Sequence, residues 1–85
     1  MLTATHIETD QNWKDETTTY WFKIDGVADD HGMTIAADGE YGWADNNGHV
    51  SILDADGCPL TDGDGITEAV RSALEKPVSE LMQNA

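Results

Sequence analysis

Apolar and polar residues alternate most regularly over residues 17–25, and this period of two predicts a β-strand. The apolar face is the one expected to contact the core. One face carries Thr18, Tyr20, Phe22 and Ile24, and the opposite face carries Thr19, Trp21, Lys23 and Asp25.

Four shorter segments also have the composition of strands, and they cover residues 2–8, 33–37, 40–44 and 49–55. The first is weakly patterned, with Thr3, Thr5 and Ile7 on one face and His6 on the other. Asp38-Gly39 predicts a hairpin between the second and third of these segments. Residues 45–48 predict a turn before the last one, which places Val50 and Ile52 on one face.

The chain after residue 65 follows a helical period instead. Its apolar positions form one stripe, and Asp64 is a candidate N-cap. Pro77 predicts either a kink in one helix or the start of a second short helix. The stripe consists of Ile66, Val70, Leu74, Val78 and Leu81 or Met82.

These elements predict a single acidic α+β domain over residues 1–85. We expect a small antiparallel β-meander of three to five strands, with the C-terminal helix packed on one face.

The charge of the chain is strongly negative, with 17 acidic residues against four basic ones and a formal net charge of −13. Fourteen of the acids precede residue 66, where the only bases are Lys14 and Lys23. Such a field repels nucleic acid and anionic membranes and attracts basic partners. We therefore expect neither direct nucleic-acid binding nor membrane binding.

Some of the acids have a structural explanation, because five aspartates precede glycine and Asp45 falls in a predicted turn. The remaining acids before residue 66 have no turn role in the sequence, and they are the candidates for contacts with a partner. They are Glu8, Asp10, Asp15, Glu16, Asp29, Asp30, Glu40 and Asp54. The partner-binding set predicted from them is Glu8, Asp15, Glu16, Asp29, Asp30, Glu40 and Asp54, together with Trp21.

Carboxylates in rows can imitate the phosphates of a polyanion, since residues two apart on a strand lie about 6.8 Å apart on one face. In charge and size, though in no motif, the chain is similar to small acidic phage proteins, including some anti-CRISPR proteins, that act as DNA mimics. This similarity implies inhibition or regulation of a nucleic-acid-handling protein, such as a nuclease or CRISPR effector, through its basic surface. No catalytic activity is expected.

Charge alone gives weak, salt-sensitive binding, and tight binding usually needs aromatic anchors. Trp21 and Trp13 are the candidates. The alternative, which we favour because Trp is usually well buried, is that both pack under loops or cover a second face of the sheet.

Other functions fit less well. The aspartates at 54, 56, 62 and 64 match an EF-hand in no frame, which leaves a weak calcium-binding module as one alternative. The three histidines have no zinc-like spacing with Cys58, so no metal or cofactor is expected. The acidic surroundings of Cys58 disfavour a thiolate nucleophile. Adaptation to high salt, without a special acidic interface, is the other alternative.

A single cysteine excludes an internal disulfide and predicts a reducing compartment, the cytoplasm. The first residues lack the basic start and apolar run of a signal peptide, and no apolar run approaches the roughly 18 residues of a membrane-spanning helix.

Overall fold

The computed structural model describes residues 2–30, 32–60 and 65–83, and it shows an antiparallel sheet of five strands followed by one helix. The predicted α+β class, with a meander-like sheet and a C-terminal helix, is confirmed. The elements are β1 (Leu2–Asn12), β2 (Thr17–Asp30), β3 (Met33–Ala36), β4 (Gly39–Asn46), β5 (His49–Leu53) and α1 (Gly65–Gln83).

The long strand β2 organises the sheet. Its first part pairs with β1 on one side and β4 on the other, and its last four residues pair with β3. The strand order is therefore β1-β2-β4-β5, with β3 attached to the far end of β2. β2 also runs five residues beyond the predicted end of the strand, through Asp25-Gly26, which lies inside the strand and not in a turn.

The hairpin predicted at Asp38-Gly39 is wrong, because β3 pairs with β2 and not with β4. The Gly26 N–H donates to Asp38 Oδ1 (2.9 Å), and the Ala37 N–H donates to the Gly26 carbonyl (3.2 Å). Gly26 has a φ of 124°, which favours glycine. The Asp38 side chain thus ties the β3–β4 link to the middle of β2 instead of closing a hairpin.

The core lies between one face of the sheet and α1. Phe22 and Ile24 of β2 are fully buried there, together with Val70 and Leu74 of the helix. Ile52 of β5 joins the same cluster. The period-two face of β2 and the period-four stripe of α1 therefore meet as their patterns predict.

The helix continues through Pro77 without being split. Val78, the next residue, is 1% exposed, so the stripe is maintained past the proline, whereas Met82 near the end is 41% exposed. Asp64, the predicted N-cap, lies outside the described residues. In the described part of the chain, no helix is long and apolar enough to span a membrane.

Candidate partner-binding face

The sheet has a second face that α1 does not cover, and strand register identifies its residues, because directly opposed residues of antiparallel strands share a face. Trp21 lies at its centre, between Glu8 of β1 and Gly42 of β4. In the next row Lys23 lies directly opposite Glu40. We call this surface the helix-free face. Across the strands its residues are Thr3, Thr5, Glu8, Asp10, Asn12, Thr17, Thr19, Trp21, Lys23, Asp25, Glu40, Gly42, Ala44, Asn46, His49, Ser51 and Leu53.

A β-bulge in β1 places the two acids of that strand, Glu8 and Asp10, on this face. His6 lies opposite Phe22 and Glu8 opposite Trp21, so Ile7 is the extra residue. A bulge shifts the alternation of the strand by one residue. Without it, Ile7 would oppose Trp21, and Glu8 would turn to the side of the sheet that carries the core.

The Trp21 side chain lies against the surface of the sheet at Gly42. A Cβ at position 42 would lie 3.0 Å from Trp21 Cζ3 and 3.1 Å from the Thr19 methyl carbon, so the glycine makes room for the indole. Trp21 is partly buried in this position. The expectation that Trp21 covers a second face of the sheet is therefore confirmed.

Acidic side chains surround Trp21. A shallow cavity of about 260 Å³ is lined by Trp21, by Glu8 and Asp10 of β1 and by Glu40 of β4. Ile7 and Ala55 complete its lining with apolar atoms. Carboxylates from two strands on opposite sides of β2 therefore share one cavity with an indole.

A second shallow cavity, of about 570 Å³, adjoins the first because Asp10 lines both. Trp13, Lys14 and Asp15 of the β1–β2 turn also line it. Trp13 is 83% exposed, so the expectation that it packs under a loop is wrong. The turn that holds it contains no neighbouring apolar residue that could cover an indole.

Two of the predicted contact residues, Asp15 and Glu16, lie in the β1–β2 turn, and each accepts a hydrogen bond. Asn12 Nδ2 donates to Asp15 Oδ2 (3.1 Å), and Asn47 Nδ2 in the β4–β5 turn donates to Glu16 Oε2 (3.3 Å). Glu16 has a φ of 55°, an uncommon conformation for a non-glycine residue. These two acids support the turns at one end of the sheet, and Asp15 also reaches the second cavity.

Asp54 has a turn role that its sequence context does not show, so the expectation that it has none is wrong. Its Oδ1 accepts the backbone N–H of Asp56 (2.9 Å) and of Cys58 (3.0 Å), which closes the loop after β5. Asp29 and Asp30 lie at the far end of β2, opposite Thr34 and Met33 of β3. Their side chains lie outside the described part of the structure.

The structure thus brings together Glu8, Trp21 and Glu40 from the predicted set and distributes the others over three further places. Two acids of the helix-free face are missing from that set. Asp10 was among the candidate acids but not in the predicted partner-binding set, and it lies in β1, which continues to Asn12. Asp25 was assigned to a turn, yet it lies opposite Thr3 within the sheet. Continuing the alternation beyond Glu8 would have found Asp10.

No three histidine, cysteine or acidic side chains among the described residues are placed to hold a metal ion together. Asp62 and Asp64, two of the four aspartates of the calcium alternative, lie outside the described residues. Cys58 is exposed as a free thiol.

Comparison of the chain with protein-family models, with curated proteins and with solved structures finds no significant match.

Proposed function

We propose that this protein is an acidic binding protein that inhibits or regulates a nucleic-acid-handling protein by occupying its basic nucleic-acid site, as a DNA mimic of the anti-CRISPR kind does. One observation carries the proposal. Glu8, Asp10 and Glu40 share a cavity with the partly buried Trp21 on the sheet face that the helix leaves open. The rest of the acidic surface supplies the long-range attraction for a basic partner in the cytoplasm.

The arrangement supports a binding role because it combines the two contributions that a polyanion mimic needs. The net charge of −13 accelerates the approach of a basic surface. Trp21 and the exposed Trp13 offer aromatic surface that a partner can desolvate, and such contacts contribute most of the affinity in many interfaces. Carboxylates without anchors would give an association that physiological salt abolishes.

The test begins with capture of host proteins on the immobilised chain at low and high salt. Each captured protein is then purified, bound to a labelled nucleic acid that it recognises, and titrated with the free chain. We expect displacement of the nucleic acid at a 1:1 ratio, weakened about tenfold or more between roughly 0.05 and 0.3 M salt.

The matched variant is E8Q/D10N/E40Q, which neutralises the helix-free face without changing the size of the side chains. It should displace nucleic acid at least about tenfold less well, because each close charge pair across an interface can contribute about 1.5 kcal/mol or more to the free energy of binding. E68Q/E75Q/E80Q removes three charges from the exposed surface of α1 and should have a much smaller effect. Equal displacement by all three proteins would disprove the proposed function at this face.

A further inference from the structure

The cavity at Trp21 has the size of a site for one side chain. Its volume of about 260 Å³ lies below the roughly 300 Å³ at which ligand pockets begin. It opens on the helix-free face, where a partner's surface would lie. A second copy of this chain does not suit it, because two molecules of charge −13 repel each other.

The lining determines which side chain fits. It combines the apolar Ile7 and Ala55, the aromatic Trp21, and acids from the strands on both sides of β2. Arginine has matching parts: an apolar stem, a planar cation that stacks on aromatic rings, and a fork of donors for carboxylates. Lysine offers the charge but neither the plane nor the fork.

The spacing of the acids also favours an extended organic cation over a metal ion. Glu8, Asp10 and Glu40 line one cavity, yet these three described residues are not placed to hold a metal ion together. A guanidinium spreads its charge and its five donors over a plane, so it can reach carboxylates that a single ion would not bridge.

We propose that the Trp21 cavity receives one arginine side chain of the basic partner, stacked on the indole and paired with Glu8 and Glu40. This inference rests on the proposed function. The contact makes the protein select arginine over lysine at this position. In nucleic-acid-binding proteins such arginines contact phosphates and base edges, so the chain would occupy a residue that the nucleic acid needs.

The experiment uses two capped peptides that differ only in having four arginines or four lysines between serine and glycine spacers. Each is titrated into the ¹⁵N-labelled full chain at about 0.05 M salt, and the indole N–H and backbone amide signals are followed by NMR. We expect the arginine peptide to bind roughly three- to fivefold more tightly, as stacking on an exposed aromatic ring predicts. The largest shifts should fall on Trp21, Glu8 and Glu40.

Trp21→Leu should remove the preference for arginine, whereas E68Q/E75Q/E80Q, which changes only exposed residues of α1, should keep it. The Glu40 side chain is exposed, so Glu40→Gln carries little risk to folding. It should weaken the binding of both peptides. Equal affinities of the two peptides for the unchanged protein would overturn the inference without any variant. A preference for arginine that Trp13→Leu removes and Trp21→Leu keeps would also overturn the inference, because the stacking would then be at Trp13.

The two proposals fail separately. If the protein selects arginine at Trp21 but displaces no nucleic acid, the arginine site is supported and the DNA-mimic function is disproved. Displacement of nucleic acid without any difference between the peptides, and without an effect of Trp21→Leu, would retain the mimic and reject the arginine site.

Discussion

Individual acids in this protein have two different roles, and hydrogen bonds separate them. Asp38, Asp45 and Asp54 accept backbone amides, from Gly26, from Gly48 and from Asp56 and Cys58, and so hold links between strands. Asp10 and Glu40 instead line a cavity on an open face. An acid-rich sequence therefore overstates the acidic contact surface, because turn acids contribute to the charge while their oxygens serve the backbone.

Asp54→Ala tests this separation. Loss of the acceptor for two amides should lower the free energy of unfolding by about 1 kcal/mol or more. Urea denaturation followed by circular dichroism measures the change. Asp56→Ala removes an exposed carboxylate from the same loop and should change the stability by no more than about 0.5 kcal/mol. Equal effects of the two substitutions would show that Asp54 contributes only charge.

Among the elements, β1 connects the fold to the candidate site. It pairs with β2 along nearly its whole length, and only the bulge at Ile7 decides which of its side chains face Trp21. A bulge also disrupts an edge strand, which discourages pairing with other chains. The same extra residue therefore orients Glu8 and Asp10 and protects the edge.

Two single-residue deletions test the role of the bulge. Deletion of Ile7 leaves every other β1–β2 pair in register and keeps Glu8 opposite Trp21. Deletion of Thr9 also restores a regular strand, but it brings Ile7 opposite Trp21 and turns Glu8 to the other face. Both proteins should fold, and only the second should lose most of its binding to the arginine peptide.

Amide exchange and peptide titration of the two deletion variants provide the measurements. Because the variants have the same length and differ by one deleted residue, the comparison isolates the face on which Glu8 lies. If both bind like the unchanged chain, the bulge has no part in the site.

How far the sequence predicts this fold depends on whether each signal is local. The alternation in β2, the turn before β5 and the stripe of α1 are local, and each element forms at its predicted place, although β2 continues five residues beyond its predicted end. The partner of β3 is not local, because it depends on the conformation of Gly26 and on the Asp38 side chain twelve residues away.

The site was predicted in part for a similar reason. Trp21 and Glu8 stand out by alternation and charge, and Glu40 by its strand. Asp10 lies two residues after Glu8 on the same face, in the part of β1 that extends beyond the predicted end of the strand at residue 8. The exposure of Trp13 depends on how a turn is oriented, which no periodicity shows.

The whole molecule carries its negative charge on a small body, since the Cα radius of gyration is 12.6 Å. Like charges at such separations repel, and salt screens them over about 10 Å at 0.1 M. Some stability is therefore lost at low salt, and the acids gathered around Trp21 are expected to contribute to the loss.

Thermal unfolding in about 0.02 M and 1 M sodium chloride tests this expectation. E8Q/D10N/E40Q should melt roughly 2–5 °C above the unchanged chain at low salt, and the difference should shrink at high salt, because the repulsion between these acids is then screened. An equally steep rise with salt in both proteins would locate the repulsion elsewhere. That result would favour general salt adaptation over a specialised face.

The position of the helix on only one side of the sheet has a consequence for the descendants of this sequence. Substitutions at the buried Phe22 or Leu74 affect folding, whereas under the proposed function substitutions at the exposed Glu8 or Glu40 affect mainly the contact with the partner. Under the proposed function, substitutions on the open face can therefore change the target while the residues of the core stay the same. The architecture allows recognition to evolve quickly on a slowly changing scaffold.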